Sequence, residues 1–128
     1  MSAKFCLLAA SLMGASGVLL GAFGAHALQA RLSSTALGIW ETAVLYHFIH
    51  ALALLGVGVW LMQAPAPLLP SLLKWAAVLF LVGIVIFSGS LYLLALTNIR
   101  WLGAITPLGG LMFIAGWVLL AIEAWRLH

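Results

Sequence analysis

The chain has 128 residues, of which 66% are hydrophobic and 5% charged, with a mean hydropathy of +1.28. That balance excludes a water-soluble domain, which needs a polar surface, and implies a single domain that dissolves in lipid. Five Lys and Arg against two acidic residues give a formal charge of +3, but the basic side chains flank apolar runs, where they anchor to headgroups; nucleic acid is excluded as a partner.

About 20 apolar residues in a helix cross the hydrocarbon of a bilayer, and four stretches reach that length. The first covers about 5–28. Lys4, a hydrophobic run and Ala25-His26-Ala27 imitate a secretory signal, but the run exceeds the ~7–15 residues of a signal core and reads as a membrane span. Within it Ala10, Gly14, Gly17, Gly21 and Gly24 are spaced alternately by four and three. Such a stripe of small residues predicts a close helix contact, with a neighbour in the same chain or in a second copy. Cys6, alone of its kind, reads as a small apolar residue.

The second span covers about 36–62, opened by Ser33-Ser34-Thr35, any of which can cap a helix. Pro65, Pro67 and Pro70 then forbid continuous helix and predict a turn. Ser71 is placed to cap a third span of about 72–96. After the interfacial pair Arg100-Trp101, a fourth span covers about 104–124, with Thr106 as cap and Pro107 at the first helical position. The alternative is one helix kinked at Pro107. Gly83 and Ser90, and Gly109 and Gly116, are spaced seven apart and give the last two spans partner faces.

Tryptophan prefers the interface to the bilayer centre, and Trp60, Trp75 and Trp125 fall on one side of this layout, Trp40 and Trp101 on the other. Trp117 lies deeper and is expected to pack. The reading is an all-α membrane protein, an up-down bundle of four transmembrane helices with both termini on one side. Lys4, Lys74 and Arg126 lie with the termini, against Arg31 and Arg100 opposite, which favours a cytoplasmic location for them.

Charged and imidazole groups are costly inside a membrane, so their placement is the best functional clue. The candidate polar cluster is His26, Glu41, Tyr46, His47, His50, Ser88, Ser90, Arg100 and Thr106, gathered in the half of the bilayer nearest Trp40 and Trp101. At about 100° per residue Glu41 lies opposite His50, so its expected partner is Arg100, with Arg31 and His26 as alternatives. Three readings of the histidines compete. They are hydrogen-bonded structural groups, a proton or small-solute pathway, or metal or haem ligands. The first is favoured, and no metal or cofactor is expected. Enzyme signatures such as Gly-x-Ser-x-Gly or His-Glu-x-x-His are absent from the sequence, and no enzymatic role is expected.

Three stretches carry a family resemblance: Gly21 to Leu28 (GAFGAHAL), Trp40 to Leu55 (WETAVLYHFIHALALL), and Ser88-Gly-Ser-Leu-Tyr92 followed by Arg100 to Gly110 (RWLGAITPLGG). Together they resemble the YgdD/YwdK-like family of small bacterial inner-membrane proteins, a domain of unknown function. The resemblance implies a compact multi-pass protein of the bacterial plasma membrane and no particular reaction. By position it singles out His26, Glu41, Tyr46, His50, Ser88, Ser90, Arg100 and Thr106. The sequence departs from it at Leu45, where a polar residue is expected, and at Asn98, where glycine is usual; His47 is less typical than His50. The expected surroundings are the lipid bilayer, with a homo-oligomer, a protein partner or a small solute left open.

Overall fold

The computed structural model describes residues 1–64 and 71–127, and among them there are helices and no strand. Four helices are long and apolar enough to cross a membrane: α1 (Ala3–Leu28), α2 (Ser34–Gln63), α3 (Leu72–Thr97) and α4 (Leu102–Trp125). The prolines at 65, 67 and 70 and the side chain of Ser71 lie outside the described residues.

Local chemistry sets the helix ends. Ser2 Oγ accepts from the Phe5 amide at 3.2 Å and caps α1. Ser33 Oγ accepts from the Ala36 amide at 3.1 Å and caps α2, satisfying a donor that the helix itself leaves unpaired. α3 ends on Asn98, whose φ of 56° is left-handed and whose amide donates to the Leu94 carbonyl at 2.8 Å. Asparagine tolerates that conformation better than most side chains do, so it stands where glycine is usual at no great strain.

The opening of α4 differs from the sequence expectation. The helix begins at Leu102, so Thr106 is not its cap and Pro107 lies inside it. Having no N–H, Pro107 withholds a donor from the carbonyl one turn back. Thr106 instead directs its hydroxyl oxygen at Ser90 of α3, at 2.6 Å.

α1 packs along α2, α4 packs along α3, and the contact between α2 and α3 joins the two pairs. Glycines set how closely they approach. A Cβ on Gly17 would meet Phe48 at 3.0 Å, on Gly21 would meet Val44 at 3.3 Å, and on Gly24 would overlap the Trp40 indole. The small-residue stripe therefore faces α2 of the same chain. Gly14 is the exception, with nothing within 4 Å of its Cβ position, so it lines the α1–α2 groove without limiting how closely the helices approach. On the other pair, Gly83 faces Phe113, Gly109 faces the backbone of Phe87, and Gly116 faces Phe80.

Trp40 also departs from expectation. Rather than anchoring in the interface it is 3% exposed, docked over Gly24 with its Nε1–H donating to the Leu20 carbonyl at 2.9 Å. The outward faces carry many exposed apolar side chains, among them Leu8, Leu19, Leu52, Val85, Leu111 and Ile114, as lipid contact requires.

Two helices contain a π turn, Gly24–Leu28 in α1 and Ile84–Ser88 in α3. Such turns insert an extra residue and often occur at functional sites. The second one brings Phe87 against Gly109 and aims Ser88 at α2, beside the buried histidines.

Candidate functional site

His47 and His50 sit at the middle of α2, within about 2–3 Å of its midpoint along the axis. Both are 4% exposed. The three-residue spacing turns them about 60° apart, enough to send them to different neighbours.

His47 lies between α1 and α3. Its Nδ1 is 2.9 Å from the Tyr92 hydroxyl and its Nε2 is 3.1 Å from Ser16 Oγ. Ser16 donates its own hydrogen to the Met13 carbonyl at 3.0 Å, so its oxygen is left to accept from Nε2–H. Nδ1 then accepts from the tyrosine. The partners fix the tautomer and the direction of the chain: Tyr92 to His47 to Ser16 to Met13.

His50 faces α3 and α4. Its Nδ1–H donates to the Tyr46 carbonyl at 2.8 Å, and its Nε2 accepts from Trp117 Nε1–H at 3.1 Å. The ring lies on Phe113, with centroids 3.5 Å apart and planes 7° from parallel, while Phe80 and Trp117 approach it at an angle. Gly83 makes this possible, because a Cβ there would overlap the Phe113 ring.

The surrounding hydroxyls are bonded too. Ser88 is fully buried and donates to the Ala43 carbonyl of α2 at 2.7 Å. Ser90 donates to the Phe87 carbonyl at 2.9 Å while meeting Thr106. Among the described residues no buried side-chain nitrogen or oxygen lacks a partner.

The structure thus brings together six of the nine sequence candidates: Tyr46, His47, His50, Ser88, Ser90 and Thr106. Tyr46 contributes its carbonyl to His50, with its ring tilted on Phe87. The other three stay outside. His26, Glu41 and Arg100 are exposed, and the expected ion pair of Glu41 with Arg100, Arg31 or His26 is not formed among the described residues. Glu41 points out along the α1–α2 seam, which α3 and the Arg100 segment do not reach. The two histidines lie deeper than expected, at the centre of α2, while Thr106, bonded to Ser90, stays one turn from Trp101.

Ser16 and Trp117 complete the site and were not among the candidates. Trp117 carried a signal, since an indole far from either interface needs an acceptor for its N–H. Ser16 carried none; either serine of this glycine-rich helix, Ser11 or Ser16, reads as a packing residue. Among the described residues no three His, Cys, Asp or Glu side chains converge to hold a metal.

Fold and site together define a multi-pass, all-helical membrane protein with a polar core of paired histidines. Comparison gives the particular family: the chain belongs to the protein of unknown function family DUF423, whose model matches residues 20–110. It is 39% identical over 127 residues to the UPF0382 inner membrane protein YgdD of Escherichia coli K12, covering 99% of this chain and 94% of that protein. It is 49% identical over 106 residues to a UPF0382 membrane protein of Staphylococcus haemolyticus, with 83% of each chain covered. A UPF0382 membrane protein of Staphylococcus epidermidis is 50% identical over 102 residues, 80% of each chain. No solved structure matches. The protein is accordingly an inner-membrane protein of four spans.

Proposed function

We propose that the protein is a non-enzymatic structural component of the bilayer that works through its lipid-facing surface, and that the histidines hold the bundle together without moving protons. The observation that carries this reading is the saturation of both rings. Each nitrogen of His47 and His50 already has a partner of matching donor or acceptor character. A proton route, the competing reading, needs a ring nitrogen that can exchange partners. At His50 a second ring hydrogen would face the Trp117 N–H, donor against donor.

The test is flux. Purified protein in vesicles holding a pH-sensitive dye is expected to pass protons under an imposed potential no faster than empty vesicles do. Flux above that background, abolished by His50→Phe, would overturn the reading in favour of a pathway.

We further propose that both termini face the cytoplasm, supported by Lys4, Lys74 and Arg126 at that end against Arg31 and Arg100 at the other. A fluorescent reporter at the carboxyl terminus is expected to light up in the cytoplasm, and one inserted near Ser33 to stay dark. The reverse pattern inverts the topology.

A further inference from the structure

Glu41 is a charged side chain placed within the bilayer's depth and left without a basic partner among the described residues. It lies about 11 Å from the midpoint of α2, inside the ~15 Å half-thickness of the hydrocarbon, and side chains on a helix lean toward its N-terminus, here toward the nearer headgroups. A carboxylate at that depth is costly unless something pairs with it.

The surroundings of Glu41 indicate what can. It stands at the rim of a groove of about 380 Å³ between α1 and α2, walled by Gly21, Gly24, Trp40, Val44 and Phe48. That volume lies at the small end of the roughly 300–1,000 Å³ typical of ligand sites. The walls are apolar and the glycines leave backbone as their floor, so hydrocarbon fits along them. Arg31, the basic residue near this end of α2, lines a different groove with Ala36, Ile39 and Asn98. One negative charge over an apolar trough selects a molecule whose head carries an ammonium and whose tail is hydrocarbon. It disfavours lipids whose heads are purely anionic.

We propose that this groove binds an ammonium-headed bilayer lipid, its amine donating hydrogen bonds to the Glu41 carboxylate and an acyl chain lying along Gly21, Val44 and Phe48. The site opens to the hydrocarbon through exposed residues, so a lipid enters it sideways from the bilayer. A primary ammonium carries three N–H donors, which a trimethylammonium lacks. Selectivity for phosphatidylethanolamine over phosphatidylcholine follows from that difference. The inference rests on the groove alone and is independent of the role of the histidines.

The experiment reconstitutes the full chain in nanodiscs of equal parts phosphatidylethanolamine, phosphatidylcholine and phosphatidylglycerol, extracts it in mild detergent and counts retained lipids by native mass spectrometry. The wild type is expected to retain phosphatidylethanolamine about fivefold over either other lipid, the upper range for an exposed charge pair. Glu41→Gln is expected to make the three equal. Ala25→Phe, which fills the groove from an exposed lining position, is expected to lose the same preference while unfolding at the wild-type temperature. Equal retention by the wild type, or a preference unchanged in Glu41→Gln, overturns the proposal. So does a dimer without lipid preference that both substitutions dissociate, because the groove's occupant is then a second copy of the chain.

Discussion

Gly109→Ala is expected to lower the unfolding temperature in detergent by roughly 5–10 °C, although alanine is the better helix former. A Cβ at this position would sit 2.5 Å from the Phe87 backbone nitrogen and 2.8 Å from its Cα. A side chain could rotate aside, but a backbone cannot, and this one is held inside the π turn Ile84–Ser88. Propensity favours alanine by about 1 kcal/mol, whereas overpacking costs about 1–3 kcal/mol or more, and a rigid neighbour puts this case at the upper end. The net loss is about 2 kcal/mol. Gly14→Ala and Gly56→Ala have nothing within 4 Å of the new methyl group and are expected to hold or raise stability. Differential scanning fluorimetry on the three variants settles the matter. Wild-type stability in Gly109→Ala would mean that α3 and α4 are less closely apposed than described.

Glycine positions show how much of this fold can be read from the sequence. The stripe Gly17, Gly21 and Gly24 announced a close contact because lipid-embedded helices gain little from burying apolar groups and associate through small residues and backbone proximity. Its partner became visible only in three dimensions, since Phe48, Val44 and Trp40 look like any other apolar residues of α2. The same limit explains Trp40. Interfacial preference is a property of the isolated side chain, and it was outweighed by a cavity over Gly24 together with an acceptor at Leu20. For the site, hydropathy flags the imidazoles and hydroxyls because they are costly in hydrocarbon, and His47, His50 and the serine and threonine hydroxyls are found bonded at the core, whereas His26 is exposed. Glu41 and Arg100 were flagged by the same rule, but charge alone cannot tell a side chain turned inward from one turned to the headgroups. Neither π turn has a sequence signature, and it is the second one that sets Ser88 against α2.

His50→Ala is expected to be among the most destabilising single changes in the core, by about 2–4 kcal/mol, because it removes the ring stacked on Phe113 and both of its hydrogen bonds. Variants at His50 and Trp117 separate packing from polarity. His50→Phe restores an aromatic ring on Phe113 but leaves the Trp117 N–H without its acceptor. Interhelical hydrogen bonds in membranes contribute about 0.6 kcal/mol on average, whereas a donor orphaned away from water, as the half-exposed, lipid-facing Trp117 would be, costs about 1–3 kcal/mol. His50→Phe is therefore expected to recover part of the loss, and adding Trp117→Phe to it to recover more by deleting the orphaned donor. The two changes together should cost less than the sum of each alone, a sign of direct coupling. An independent readout comes from ¹⁵N spectra of the imidazoles, which are expected to place the ring hydrogen of His50 on Nδ1 and that of His47 on Nε2, as their partners demand. Additive losses in the His50 and Trp117 cycle, together with a His50 hydrogen on Nε2, would mean that the indole does not donate to this ring, and the saturated histidine core would then have to be abandoned.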